Sequence, residues 1–443
     1  MPSSFPYTPT TLRTSVKPRP WVPVKYHEGR VEIPPLPFKP RTDNLLGMYD
    51  ISTHIILAAN PRVTPNTPVP ELPPRSSKIT ERDIKKLGLE LIEQQTRQGE
   101  DGYSRITDER LLWNCVNRYS KRDQETKVRT KGITLFLVHG TGFPKEIWET
   151  TLCYLLAVCG VIDEIWSWES VQHGDSALLN RQNLSGNFDW TDNARDITNF
   201  LINYMPEKVD ISVLPIQLRR LPASISEARQ KSGFSSRTLV VAGHSFGGCV
   251  VASVALNFPA LFSSLILVDA MIDTFTGIPL EHTQRMIGHT LIRRQHWLSR
   301  EDALRSFKSS PVFSAWHPDV LRLYVDYGLY EDGSGRVRLK TPPIHEAIVY
   351  ANLQVSRETW ESMERLDENI ELLWILPGKE TREVSMMEQV SKERVWRRQA
   401  NSSNVIIKSS DHLIPHESPE ALAQIMADFL HRKYGVSSRQ SKL

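Results

Sequence analysis

Residues 239–248 read Leu-Val-Val-Ala-Gly-His-Ser-Phe-Gly-Gly. A serine with glycines two places to either side, between an apolar run and a small-residue run, marks a strand–turn–helix. Such a turn strains the serine backbone, and side chains at 243 and 247 would collide. Gly243 and Gly247 relieve that crowding, so Ser245 Oγ can stand exposed above the sheet. The following helix turns its N-terminal N–H groups to the same place, which favours developing negative charge. The chemistry implied is attack of a serine hydroxyl on a carbonyl carbon.

The tetrahedral oxyanion of that attack needs preset donors, and losing one typically costs about 3–4 kcal/mol in the transition state. The Phe246 amide, directly after the serine, is one expected donor. Residues 133–143 read ITLFLVHGTGF, a short apolar strand running into a loop. Thr141 N–H is the expected second donor, with Gly142 as the alternative, and His139 reads as a structural loop histidine.

A base must return late in the chain. Residues 405–420 read VIIKSSDHLIPHESPE, a strand, a polar turn and a helix start. His412 on that turn is the natural proton shuttle for Ser245. His416 is a second possibility nearer the helix. The acid is open between two residues. The loop after the apolar run at 372–376 reads LPGKETREV, where a frequent Gly-x-x-Asp pattern would put Asp at 381. Thr381 stands there and cannot carry the charge, so Glu380 is one candidate. Asp269, ending the apolar run 265–268, is the other, and Asp411 is a minor one.

The elements that must hold these groups alternate. Apolar runs at 133–138, 161–168, 238–242, 265–268, 372–376 and 405–407 read as strands. Helical patterns cover 146–158, 190–204, 246–258 and 419–434. Strands alternating with helices imply right-handed crossovers and a mainly parallel sheet covered on both faces. Residues 1–77 hold 16 of the 29 prolines. Proline fixes φ and removes a donor, so this reads as an extended arm with one strand near 49–59. A helix over 76–95 and a strand over 111–119 follow, and residues 207–236 read as a polar linker. The expected division is an arm at 1–77, core at 78–274, a mainly helical cap at 275–370, core again at 371–436 and a tail at 437–443. Trp297, Trp316, Tyr324, Tyr327, Tyr330 and Trp360 in the cap suggest an apolar tunnel for an acyl chain.

With these residues in hand, the chain resembles the α/β-hydrolase superfamily over roughly residues 110–435. His173-Gly174-Asp175-Ser176 is similar to the HGxS loop of many members. The arm, the elbow and the final Ser441-Lys442-Leu443 together resemble fungal peroxisomal hydrolases, among them one serving host-selective AK-toxin biosynthesis. The resemblance implies an α/β-hydrolase fold and an esterase, lipase or thioesterase step on a fatty-acid-derived intermediate.

The bulk properties narrow the classes. Lys and Arg number 54 against 51 Asp and Glu, a net charge of +3. That is too small and dispersed for nucleic-acid binding. No run of about 20 apolar residues is present to span a bilayer. Cys115, Cys153, Cys159 and Cys249 are scattered without CxxC pairs, which suits free thiols in a reducing compartment and gives no metal site. No organic cofactor is expected. Ser441-Lys442-Leu443 reads as a peroxisomal address taken by an import receptor. The expected substrate is a small acyl ester or thioester. A non-catalytic scaffold on the same fold is the reading of a different class. An epoxide hydrolase would need a carboxylate nucleophile where Ser245 stands.

Overall fold

The computed structural model describes residues 4–7, 16–27, 29, 31–71, 80–100, 110–122, 132–209, 213–273 and 280–435. The expected tail and its Ser441-Lys442-Leu443, and residues 76–79 of the expected first helix, lie outside them.

Short apolar runs become strands because both of their faces are buried. In β4 (Ile133–Val138), Phe136 and Val138 join the apolar core on one face of the sheet while Leu135 and Leu137 join the core on the other. The same alternation holds in β6 (Thr238–His244), where Leu239 and Val241 oppose Val240 and Ala242. Such strands read as continuous hydrophobic runs rather than alternating ones.

The sheet has nine strands. Before β4 come β1 (Asn44–Leu45), β2 (Tyr49–Leu57) and β3 (Trp113–Lys121). After it come β5 (Ile162–Trp168), β6 and β7 (Ser264–Val268). Three short strands, β8 (His296–Trp297), β9 (Leu329–Glu331) and β10 (Val337–Leu339), form a separate antiparallel sheet ordered β8-β10-β9. The main sheet finishes with β11 (Glu371–Pro377) and β12 (Ser402–Ile407). Its order is β1-β2-β3-β5-β4-β6-β7-β11-β12, parallel from β5 to β12 and antiparallel in the β1–β3 wing. This is the α/β-hydrolase fold.

Two readings need correction. Residues 207–236 are not only linker: Ala223–Ser232 is a helix, and its Arg229 donates to the carbonyls of Leu201 and Met205. The stretch between β7 and β11 is helical but also holds the β8-β10-β9 sheet, whose strands of two or three residues are too short to show a period.

That stretch lies over the loops at the carboxyl ends of the strands. Gly174 N–H donates to Thr341 Oγ1, and His317 N–H donates to the carbonyl of His416. Trp297, Trp316, Tyr324 and Trp360 are buried in the two apolar cores. The arm is fastened along its length. Phe5 and Asn404 exchange two hydrogen bonds, and Arg19 pairs with both Asp189 and Glu358. Arg195 donates to Val22 O, and Lys25 bridges to Asn60.

Candidate active site

Strand β6 delivers Ser245 at φ 54°, ψ −122°, a left-handed conformation that a side-chain-bearing residue holds only under constraint. The constraint is visible. Ser245 N–H donates to Val268 O of the neighbouring strand, and Ser245 O accepts from Met271 and Cys249. A Cβ at Gly243 would come within 2.7 Å of Gly247 O, and one at Gly247 would fall on the carbonyls of Val138 and His139. The two glycines therefore allow the helix Phe246–Asn257 to start immediately after the serine.

Phe246 is the first residue of that helix, where backbone N–H groups have no partner within the helix. Its ring packs edge-on against Trp190 at 4.9 Å, fixing the helix start. The loop after β4 closes on the same point, since a Cβ on Gly140 would stand 3.4 Å from Ser245 Cβ. Thr141, the next residue, is buried. His139 is buried too, with Nδ1 on Gly140 O at 2.7 Å and Nε2 accepting from Ser170 N–H, which keeps it within the loop.

The turn after β12 brings His412 to the serine. His412 Nε2 lies 2.9 Å from Ser245 Oγ. His412 Nδ1 lies 2.6 Å from Asp269 Oδ2, and Asp269 directly follows β7. A carboxylate can only accept, so Nδ1 carries the proton and Nε2 is free to accept from the hydroxyl. Burial disfavours the imidazolium, but the Asp269 carboxylate outweighs it and raises the His412 pKa. Burial also pushes Asp269 towards protonation, while His412 and the Arg394 guanidinium together hold it down to about 2.

The other candidates sit elsewhere. Glu380 is exposed, and Thr381 caps the following helix Arg382–Val395 by accepting from Val384 N–H. Asp411 accepts from the His412 backbone N–H. His416 is fully buried between Phe143, at 4.1 Å, and Trp316, at 4.4 Å, where burial holds it neutral. His244, neutral with a pKa of about 3 through burial and the neighbouring His412, donates Nε2–H to His412 O and so fixes that turn.

One contact was not foreseen. Arg394 donates through Nη2 to Asp269 Oδ1 at 2.8 Å and through Nη1 to Ala270 O at 2.6 Å. It lies in KERVWRR, one of several cations there, and no spacing in the sequence singles it out. Among the described residues no group of three or more His, Cys, Asp or Glu is arranged to hold a metal ion, and no helix is long and apolar enough to cross a membrane.

Residues 135–425 match the alpha/beta hydrolase family model, well over half of the chain. The chain belongs to this family. Similar family proteins include the peroxisomal membrane protein LPX1 of Saccharomyces cerevisiae, 27% identical over 269 residues, covering 56% of this chain and 63% of that protein. The type I acyl-CoA thioesterase mpaH of Penicillium brevicompactum is 27% identical over 271 residues, 55% of each chain. The abhydrolase domain-containing protein ACTT2-1 of Alternaria alternata is 27% identical over 225 residues, 44% of this chain and 83% of that one. The chain thus spans a little over half the length of the first two relatives. Among solved structures, the peroxisomal alpha-beta-hydrolase Lpx1 of Saccharomyces cerevisiae superposes with a TM-score of 0.59 at 19% identity, over 89% of this chain and 92% of that one. That likeness is one of fold.

Proposed function

We propose that this family member is a serine hydrolase that transfers an acyl group from an ester or thioester to water. The supporting observation is the unbroken line Ser245 Oγ, His412 Nε2, His412 Nδ1, Asp269 Oδ2, with separations of 2.9 and 2.6 Å. In this reading Ser245 attacks the carbonyl carbon as His412 takes its proton. The Thr141 and Phe246 amides receive the oxyanion. The tetrahedral intermediate collapses as imidazolium protonates the departing alcohol or thiol. Water, deprotonated by His412, then attacks the acyl-enzyme, and Ser245 leaves with its proton restored. Asp269 holds the tautomer and stabilises the imidazolium.

The substrate class we propose is a fatty-acid-derived acyl ester or thioester, such as a precursor of a fungal secondary metabolite of the toxin type. The acyl-CoA thioesterase named among the relatives supports a thioester leaving group. The proposed compartment is the peroxisome, supported by the Ser441-Lys442-Leu443 motif and by the yeast relative's name.

A fluorophosphonate probe and a panel of p-nitrophenyl esters and acyl-CoA thioesters test the reading. Labelling and cleavage that disappear in Ser245→Ala are expected. A wild-type protein that neither labels nor cleaves would favour the scaffold reading.

A further inference from the structure

A carboxylate that serves a histidine must keep one oxygen aimed at Nδ1, although rotation about its own Cβ–Cγ bond would turn it away. Asp269 is held on both sides. Oδ2 faces His412, and Oδ1 receives Arg394 Nη2 at 2.8 Å. The guanidinium is fixed in turn. Its second nitrogen donates to Ala270 O at 2.6 Å, Ser391 Oγ lies 3.1 Å from Nη2, and the group sits over the Trp374 ring. The Arg394 side chain is only 3% exposed, so this fork is desolvated and correspondingly stiff.

Resting on the hydrolase reading, we propose that Arg394 is a positioning residue of the site: it locks the Asp269 carboxylate in the rotation that orients His412, and it brings a permanent positive charge to that pair. Arg394 bonds to Asp269, Ala270 and Ser391 and acts on His412 through Asp269. The charged and titratable groups facing the pair are Arg394 from the helix Arg382–Val395, His244 from β6, Asp411 from the loop of His412, and His416 beyond His244. Among the described residues Arg394 is the permanent cation paired with the carboxylate, and its field opposes the imidazolium that Asp269 favours.

The test is the pH profile of kcat/KM for a p-nitrophenyl ester in wild type, Arg394→Gln and Arg394→Lys, beside thermal melts. Arg394→Gln removes the opposing charge, so the acid limb is expected to move to higher pH, with a plateau lowered about 10- to 100-fold as the carboxylate loses its lock. Arg394→Lys keeps the charge but one ammonium cannot reproduce the planar fork to two acceptors. Its limb is expected to stay near wild type while its plateau falls.

A part in folding alone would lower the melting temperature without moving the limb. A folded Arg394→Gln with an unmoved limb, or an Arg394→Lys with the wild-type plateau, overturns the proposal. Should the Gln variant fail to fold, the Lys variant carries the decision. NMR titration of His412 in wild type and variant reads the same shift without turnover. An inactive wild type therefore sinks the hydrolase reading and leaves this inference to be judged separately.

Discussion

His412 Nδ1 and Asp269 Oδ2 lie 2.6 Å apart although 143 positions separate them in the chain. Two strands bring them together. Asp269 follows β7, His412 follows β12, and β11 lies between, parallel to both. Asp269 N–H donates to Ile375 O of β11, which sets the acid at the sheet's carboxyl edge.

Substitutions on this line and off it have unequal expected effects. Ser245→Ala and Asp269→Asn are each expected to lower kcat by about 10⁴-fold or more, as in other serine triads. Glu380→Gln, on an exposed loop, is expected to stay within about twofold of wild type, since exposed substitutions usually move energies by less than about 0.5 kcal/mol. Steady-state ester hydrolysis at a fixed pH on the plateau makes the comparison.

The pH dependence has a definite sign. Only neutral His412 can take the serine proton, so kcat/KM should rise with pH through the His412 pKa. Asp269 raises that pKa, which places the acid limb above the ordinary imidazole value. Asp269→Asn removes the carboxylate, and its residual activity should show a limb moved to lower pH. A limb that stays put would mean that another group governs it.

The same pair links to stability. Asp269 has a folded pKa held down to about 2, below its ordinary 3.8. Its contribution is present above that ordinary value and lost as pH falls towards 2. The raised His412 pKa works the other way, its contribution being present below the ordinary imidazole value and lost as pH rises through the folded one. Urea midpoints of wild type and Asp269→Asn should converge on acidification from about pH 5 towards about pH 2.

A second test concerns the sheet that carries the site. Glu164 on β5 is fully buried, accepting from Arg118 at 2.7 Å and Trp166 Nε1 at 2.8 Å, and it also pairs with Arg237. Glu164→Ala takes the carboxylate from two buried guanidinium groups. A loss of about 3–5 kcal/mol is expected, read as a fall in the urea midpoint. A variant as stable as wild type would show that water reaches those cations.

At the elbow, Gly247→Ala would press a methyl group onto the carbonyls of Val138 and His139. Either β4 or the helix Phe246–Asn257 must shift, which disturbs the Phe246 amide and the loop bearing Thr141 together. Fluorophosphonate labelling is expected to slow by at least about tenfold, because an ångström-scale misplacement near the chemistry is costly.

The parallel core was legible because β4, β6 and β7 are buried on both faces and so must be short apolar runs. The serine elbow was legible because its geometry admits few residue types. His412 followed from its place on a polar turn after a late strand. The acid was not settled by the sequence, since Asp269 and Glu380 both follow apolar strands; β11 even lies beside β12, and it is the loop geometry that turns Asp269 to His412 at 2.6 Å and leaves Glu380 exposed. Arg394 left no trace because a cation in a basic stretch ordinarily faces solvent. The helix Ala223–Ser232 was missed because ASISEARQKS has too few apolar residues to show a face.

Phe5 and Asn404 are hydrogen-bonded across 399 positions, and Trp396 Nε1 donates to Pro6 O while its ring meets Tyr7 edge-on. These contacts join the two ends of the described chain, and closing so long a loop is entropically costly. Residues 5–7 are therefore held by contacts of high loop-closure cost. They rest two residues from Arg394, on the end of the helix that presents it, so the arm braces the same helix end that steadies the Asp269 carboxylate.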